Sequence, residues 1–207
     1  MAVETNRQPI ETGVYTVAEA AFIAEIDERF VAGEIEAGII PAAAEKRLKS
    51  RLRVIGKEAV FYVSAVKPYR RHMDRALRTR VWQAVNEAVT DHKTEASLGF
   101  LSIDLLGIGS LIEPRLHQVD RLRSAVTQDP RTCSGEPVLR GTRHRVHQIA
   151  ELIRQGVALG ELCDELGLSP DEIDTALLYD RLHPRVGRPP SIEGQLKNIV
   201  DHVPDHR

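Results

Sequence analysis

The chain has 207 residues, which is enough for one large domain or two small ones. Aromatic residues make up only 4% of it, and two cysteines, Cys133 and Cys163, are too few for a disulfide framework. The sequence has no run of eighteen apolar residues and its N-terminus is polar, so it predicts a cytoplasmic protein with no membrane span and no secretion signal.

Charge is distributed unevenly along the chain, although the formal net charge is only −2. Residues 1–42 contain eight acidic side chains and two arginines, a balance of −6. Residues 43–80 contain twelve basic side chains and three acidic ones, a balance of +9. Such a basic block indicates contact with a polyanion, and a solvated helix face that keeps the protein soluble is the alternative.

Two short helices are predicted near the N-terminus. Thr16 and Glu19 have the spacing of a capping box, which begins the first helix. Asp27 is placed to cap a second helix from Glu28 to about Ala37, and Gly38 is placed to end it. Two short helices joined by a turn of about two residues predict a helix-turn-helix.

A basic loop follows, then a short strand at 52–55 and helices at 57–66 and from Pro68 to about Val89. Carboxylates on the second helix are repelled by phosphates and accept only from cytosine amino groups, so base reading by that helix is disfavoured. Phosphate contact by the flanking cations is the favoured interaction, and a dimerisation or toxin-docking role is the alternative. The cations expected to bind DNA are Lys46, Arg47, Lys49, Arg51, Arg53, Arg70 and Arg71.

This first module, residues 13–90, resembles the MerR-like helix-turn-helix group, specifically its antitoxin-associated branch. The resemblance is carried by the segments at 14–21, 38–41 and 53–60. Residues 91–124 are expected to be a connector that packs on one of the modules. Within the connector, the apolar run at 98–106 predicts a buried strand, and 114–123 predicts a short helix.

The second module is predicted at 125–183. Extended pieces at 125–128 and 137–139 form a short β-hairpin, with Gly135 at the reversal. Three helices follow, and Ser169 and Glu172 provide the capping box of the last one. The pattern predicts a homeodomain-like three-helix bundle whose last two helices form a second helix-turn-helix. Because the last helix starts with acidic residues, protein contact or dimerisation is its expected role.

The motif that precedes these helices resembles a small domain family found in VapB-type antitoxins, which pair with PIN-like toxins. The family hallmark is a Gly-Lys-Pro-Val-Ile-Arg-Gly-Thr-Arg run, and here Glu136 replaces the usual lysine and Leu139 the isoleucine. We expect Arg140 and Arg143 to tie the hairpin to helix carboxylates or carbonyls. The structural motif consists of Gly135, Pro137, Arg140, Gly141, Thr142 and Arg143.

Residues 184–207 are predicted to be an extended partner-binding arm followed by a short amphipathic segment. In antitoxins of the family that the chain resembles, the tail lies across the toxin. That resemblance implies that an inserted arginine would neutralise the carboxylate cluster that holds the toxin's metal. The residues expected to bind the toxin are Arg185, Arg188, Pro189, Ile192 and Leu196.

The sequence therefore predicts a mainly α protein with two small helix-turn-helix modules and a C-terminal arm. Its expected function is that of a type II antitoxin that neutralises a PIN-like ribonuclease and binds its own promoter as a homodimer. The alternative is a free-standing transcription regulator whose tail is a dimerisation arm. No enzyme activity, cofactor or small-molecule substrate is expected, because the chain lacks a catalytic triad order and a phosphate loop. A zinc site is not expected either, because His144, His147 and Cys163 lack a paired ligand motif.

Overall fold

A computed structural model describes residues 13–47, 50–99 and 101–185, with side chains described over the same ranges except at 45–47, 50 and 51. Within these ranges the protein is mainly helical, with eight α-helices and seven short strands. The prediction of a mainly α protein is confirmed at this level. The chain divides into two compact units, Met1–Arg145 and Val146–Arg207.

In its described residues, the first unit contains five α-helices and three small sheets. Its helices are α1 (Val17–Ala24), α2 (Glu28–Glu36), α3 (Lys57–Val66), α4 (Arg75–Thr90) and α5 (Leu105–Ala125). Its strands are β1 (Val14–Thr16), β2 (Ala43–Arg47), β3 (Ser50–Gly56), β4 (Glu95–Leu98), β5 (Leu101–Asp104), β6 (Val126–Thr127) and β7 (Val138–Leu139). The second unit contains α6 (Val146–Arg154), α7 (Leu159–Leu166) and α8 (Pro170–Leu182).

Helices α1 and α2 begin at the predicted caps. The amide of Glu19 donates to the Thr16 hydroxyl at 3.2 Å, and the amide of Thr16 donates to a Glu19 carboxylate oxygen at 2.8 Å. The Asp27 carboxylate accepts from the amide of Arg29 at 2.7 Å. Glu25, in the left-handed conformation at φ 54°, turns the chain between the two helices. Both capping predictions are confirmed.

The basic segment after α2 forms strands rather than the predicted loop. Strands β2 and β3 form an antiparallel hairpin, and β1 pairs with the other side of β3, so the strand order is β1-β3-β2. The strand predicted at 52–55 is present but extends over the whole of β3. The sequence of β2, Ala-Ala-Glu-Lys-Arg, has no apolar alternation, so its strand conformation comes from pairing with β3 rather than from its own pattern.

Helix α4 starts later than predicted. Pro68 does not begin it; a single 3-10 turn at Arg70–His72 comes first. The Asp74 carboxylate then accepts from the amide of Leu77 at 2.7 Å and caps the first turn of α4. The start moves to this position because Asp74 satisfies an amide that has no partner within the helix.

The connector differs most from its prediction. The expected buried strand at 98–106 is wrong: Gly99, at φ 71°, turns the chain between β4 and β5, and α5 then starts at Leu105. The Asp104 carboxylate caps α5 by accepting from the amide of Gly107 at 2.9 Å. The expected short helix at 114–123 is the second half of α5, which continues through Pro114. Pro114 is exposed, where water can satisfy the carbonyl that a proline leaves without a partner.

The predicted short hairpin before the last three helices is present as β6 paired with β7, with Val126 opposite Leu139. Gly135 lies in the reversal as predicted, and three consecutive residues there, Cys133, Ser134 and Gly135, have positive φ values of 48°, 59° and 78°.

The second unit contains the three helices predicted from apolar spacing. Helix α8 packs against both α6 and α7, and the buried side chains include Ile149, Leu162 and Ile173 from the three helices. The predicted capping box of α8 is confirmed, with the amide of Ser169 donating to Glu172 at 2.8 Å. No helix of the described residues is both long enough and apolar enough to cross a membrane.

Candidate functional site

A fully buried carboxylate, that of Glu34, connects helix α2 to the neighbouring elements of the first unit. The Tyr62 hydroxyl donates to Glu34 Oε2 at 2.8 Å, and Arg70 Nε donates to Glu34 Oε1 at 2.8 Å. The Arg78 guanidinium provides a third donor. The donors come from α3, the 3-10 turn and α4. A buried charge is tolerated only with such compensation, so Glu34 serves to fix α2 in place.

The tyrosine of this cluster is held in its neutral form. Burial raises the pKa of the Tyr62 hydroxyl well above its ordinary value, and the hydrogen bond to Glu34 raises it further. A neutral hydroxyl can donate, whereas a phenolate beside a buried carboxylate would be repelled by it.

The outer surface of α2 is less acidic than the sequence indicated, because Glu34 does not face solvent. Its exposed charged residues are Glu28, Arg29 and Glu36. Arg53 Nη1 of β3 lies 3.7 Å from Glu36 Oε1, with side-chain exposures of 58% and 69%. An ion pair this exposed contributes little to stability, so both groups remain available to a ligand.

The hairpin formed by β2 and β3 contains five basic residues and one acid, Glu45. Its register places Lys46 directly opposite Arg51. Like charges at opposed positions of a hairpin destabilise the pairing of its strands. Their presence here therefore indicates a function for these cations, namely binding an anion.

Of the seven cations predicted to contact DNA, the structure describes the side chains of Arg53, Arg70 and Arg71. Arg53 and Arg71 are exposed. The side chains of Lys46, Arg47 and Arg51, and the whole of Lys49, lie outside the described residues.

Arg70, by contrast, points inward. It binds Glu34, and its guanidinium carbon lies 4.6 Å from the centre of the Phe30 ring of α2. Lys67 also points toward the helix pair and donates from Nζ to the Ala24 carbonyl at 3.2 Å. Three further cations of this region, Arg71, Arg75 and Arg80, are exposed.

A second buried carboxylate, that of Glu19, attaches α1 to α5. Arg123 binds it through two hydrogen bonds, from Nε at 3.0 Å and from Nη2 at 2.6 Å, and also donates to the Val14 carbonyl at 2.7 Å. The same guanidinium lies 5.1 Å from the centre of the Tyr15 ring. The connector helix α5 is therefore part of the first unit. Sequence reasoning missed this contact, since the two ends lie more than a hundred residues apart.

The glycine-rich motif forms a corner that is attached to the end of α5. Arg140 donates from Nε to the Ser124 carbonyl, as expected for an arginine that ties the hairpin to a helix. Gly141 has φ 80°, and the Thr142 hydroxyl donates to the Leu139 carbonyl at 3.0 Å. Arg143 has an exposed side chain.

Glu136, the residue that departs from the family hallmark, forms an ion pair with Arg145: its Oε2 lies 3.3 Å from Arg145 Nε. Pro137 is buried next to it, and Gly135 lies in the reversal. These contacts give the motif a structural role within the first unit.

The predicted toxin-binding arm follows the end of α8. In the last turn of α8, Asp180 Oδ1 lies 2.5 Å from His147 Nδ1 of α6. Arg154, also of α6, binds the other oxygen of the Asp180 carboxylate. Arg185 is exposed just beyond. Arg188, Pro189, Ile192 and Leu196 lie outside the described residues.

Comparison with known proteins adds three findings. Residues 126–179, from β6 into α8, match the model of a family described as a protein of unknown function (DUF433). Over 142 residues, 68% of the chain, the sequence is 30% identical to the uncharacterized protein y4eO of Sinorhizobium fredii, and the match spans 60% of that protein's length. The crystal structure of Rv2018 from Mycobacterium tuberculosis aligns with 79% of this chain and 96% of its own, at 18% identity. The TM-score of that alignment, 0.37, does not establish a shared fold.

Proposed function

We propose that this protein is an antitoxin that binds its own promoter DNA through the first unit and a PIN-like ribonuclease toxin through its C-terminal arm. The observation that carries the proposal is the basic hairpin β2–β3, which directly follows the helix pair α1–α2. In this proposal α1 and α2 act as a helix-turn-helix, and the hairpin binds phosphates beside it.

Three features of the first unit support DNA as its ligand. The buried contacts of Glu34 fix α2 on the rest of the unit, so the helix can be presented as a rigid element. The removal of that carboxylate from the surface reduces repulsion of phosphates. Exposed cations remain available, namely Arg53 in β3, Arg71 in the 3-10 turn and Arg75 at the start of α4.

The toxin-binding part of the proposal rests on the second half of the chain. The motif from Gly135 to Arg143 resembles that of VapB-type antitoxins, and the match to the family of unknown function covers the same segment. Beyond α8 the sequence continues with arginines separated by proline and glycine, which suits an arm that orders on a partner.

DNA binding is tested with the full-length protein and a duplex that contains its own promoter. We expect binding that weakens steeply with salt, because phosphate contacts release counterions. Exchange of Arg51 and Arg53 for alanine should reduce the salt slope by about 0.9 for each phosphate contact that is lost. Arg121→Ala, which removes an exposed arginine of α5, is the matched control. Binding that is absent, or that does not respond to salt, would contradict the DNA part of the proposal.

Toxin binding is tested by co-expression with the product of the adjacent reading frame. We expect a stable complex in which ribonuclease activity is suppressed, and loss of suppression when the chain is truncated after Leu182. Full suppression by the truncated protein would rule out the arm as the inhibitory element. Promoter binding without any complex would instead favour a free-standing regulator.

A further inference from the structure

The loop between α3 and α4 presents an aromatic ring to solvent. Tyr69 is 64% exposed, and none of the other large hydrophobic side chains exposed in the described part of the first unit is aromatic. The residues around it in the chain, Lys67, Arg71 and His72, are also exposed. An exposed aromatic side chain among cations is typical of surfaces that bind nucleic acids, where the ring stacks and the cations neutralise phosphates.

The loop is held rigidly by its own hydrogen bonds. The amide of Tyr69 donates to the Val66 carbonyl at 2.9 Å, and the amide of His72 donates to the Tyr69 carbonyl at 2.8 Å. Pro68 restricts the backbone between α3 and Tyr69. These bonds fix the backbone from which the ring projects.

The loop also contacts the helix pair directly. Lys67 binds the Ala24 carbonyl at the end of α1, and Arg70 binds both Glu34 and the face of Phe30 on α2. Arg53 of the hairpin meets α2 at a different residue, Glu36 in its last turn. The basic hairpin and the Tyr69 loop therefore contact α2 at separate positions.

We propose that Tyr69 is a DNA-contacting residue whose ring packs against a sugar or base edge, with Arg71 on the adjacent phosphate. Charge complementarity identifies the ligand: close to Tyr69 in the chain, the exposed arginines Arg71 and Arg75 outnumber the single acid, Asp74, whose carboxylate is occupied as a helix cap. This inference rests on the proposed function and adds a second contact region to the hairpin.

The test compares variants of the full-length protein on promoter duplex over a range of salt concentrations. Tyr69→Ala should weaken binding by about tenfold, since the ring's contact with a sugar or base edge is lost, without changing the salt slope, since no phosphate contact is removed. Tyr69→Phe should bind like the wild type, because the ring makes the contact. Arg71→Ala should reduce the salt slope by about 0.9. Leu111→Ala, which removes an exposed apolar side chain on α5, is the control for general surface effects.

Photo-crosslinking provides a direct readout that folding defects do not imitate. A duplex substituted with 5-iodouracil should crosslink to the peptide that contains Tyr69, as identified by mass spectrometry. Wild-type affinity for Tyr69→Ala, or crosslinks confined to other peptides, would overturn the inference and leave the proposed function standing. Failure of the wild type to bind DNA would overturn both.

Discussion

The hydroxyl of Tyr62 donates a hydrogen bond of 2.8 Å to the carboxylate of Glu34, and neither side chain is accessible to solvent. Tyr62 lies in the middle of α3 and Glu34 near the end of α2, so this bond joins the proposed DNA-binding helix to the core. Two arginines complete the neutralisation of the same carboxylate. The orientation of α2 therefore depends on a polar contact as well as on apolar packing.

Removal of the Glu34 carboxylate should destabilise the protein strongly. Glu34→Ala leaves two arginines and a tyrosine without their acceptor, and we expect a loss of about 3–5 kcal/mol in the free energy of unfolding. Urea denaturation measures this loss. Glu28→Ala, which removes an exposed glutamate of the same helix, should change stability by less than about 0.5 kcal/mol. Equal effects of the two substitutions would show that Glu34 does not hold α2.

The raised pKa of Tyr62 predicts a loss of stability in alkali. In the unfolded chain tyrosine loses its proton near pH 10, whereas the folded protein retains the proton to higher pH. Above pH 10 the folded state therefore binds more protons than the unfolded state. The contribution of this group to the free energy of unfolding then falls by about 1.4 kcal/mol per pH unit. Below pH 10 this contribution is constant.

The matched measurement is denaturation of the wild type and Tyr62→Phe between pH 9 and pH 11. Above pH 10 the free energy of unfolding should fall less steeply with pH in the variant, by the contribution of one titrating proton. Burial also raises the pKa of Tyr15, but that residue contributes equally to both proteins. Parallel pH profiles would mean that Tyr62 titrates normally in the folded protein.

Arg123 should be as important for α1 as Arg70 and Arg78 are for α2. Arg123→Ala leaves the buried Glu19 without its cation, and we expect a loss of about 3 kcal/mol. Arg121→Ala, two residues earlier and exposed, is the control and should have little effect. A small effect at Arg123 would indicate that water reaches Glu19 and replaces the guanidinium.

The second unit offers a test of helix capping. Ser169→Ala removes the hydroxyl that accepts from the amide of Glu172 and should cost about 1 kcal/mol. Ser169→Thr keeps a hydroxyl that can accept from this amide and donate to the Glu172 carboxylate, and should preserve most of the stability. Thermal or urea denaturation of the two variants should therefore separate them, and identical curves would argue against the cap.

The sequence predicted local features well because their causes are local. The caps at Thr16, Asp27 and Ser169 each depend on residues within three positions of one another, and all three are present. The chain-wide pattern of apolar residues likewise predicted a mainly α protein. The role of the hairpin cations and of the arm stays a prediction.

The features that the sequence did not predict depend on contacts between residues far apart in the chain. Glu34 has the appearance of a surface glutamate until Tyr62, Arg70 and Arg78 are brought to it by the fold. Strand β2 has no pattern of its own and forms because β3 lies next to it. The charge of Arg70 predicts a contact with DNA, whereas the fold brings its guanidinium to Glu34.

The contact between Arg123 and Glu19 determines how the chain can be dissected. A fragment that ends at residue 90 would retain the whole helix pair and the basic hairpin but would lack the cation that neutralises Glu19. Such a fragment should express poorly or unfold at low denaturant concentration, and its failure to bind DNA would say nothing about the surface itself. A fragment that ends after residue 145 retains α5, the Arg140 bond and the paired β6 and β7. Because that fragment keeps the whole compact unit, the DNA-binding activity of the first unit can be judged on it.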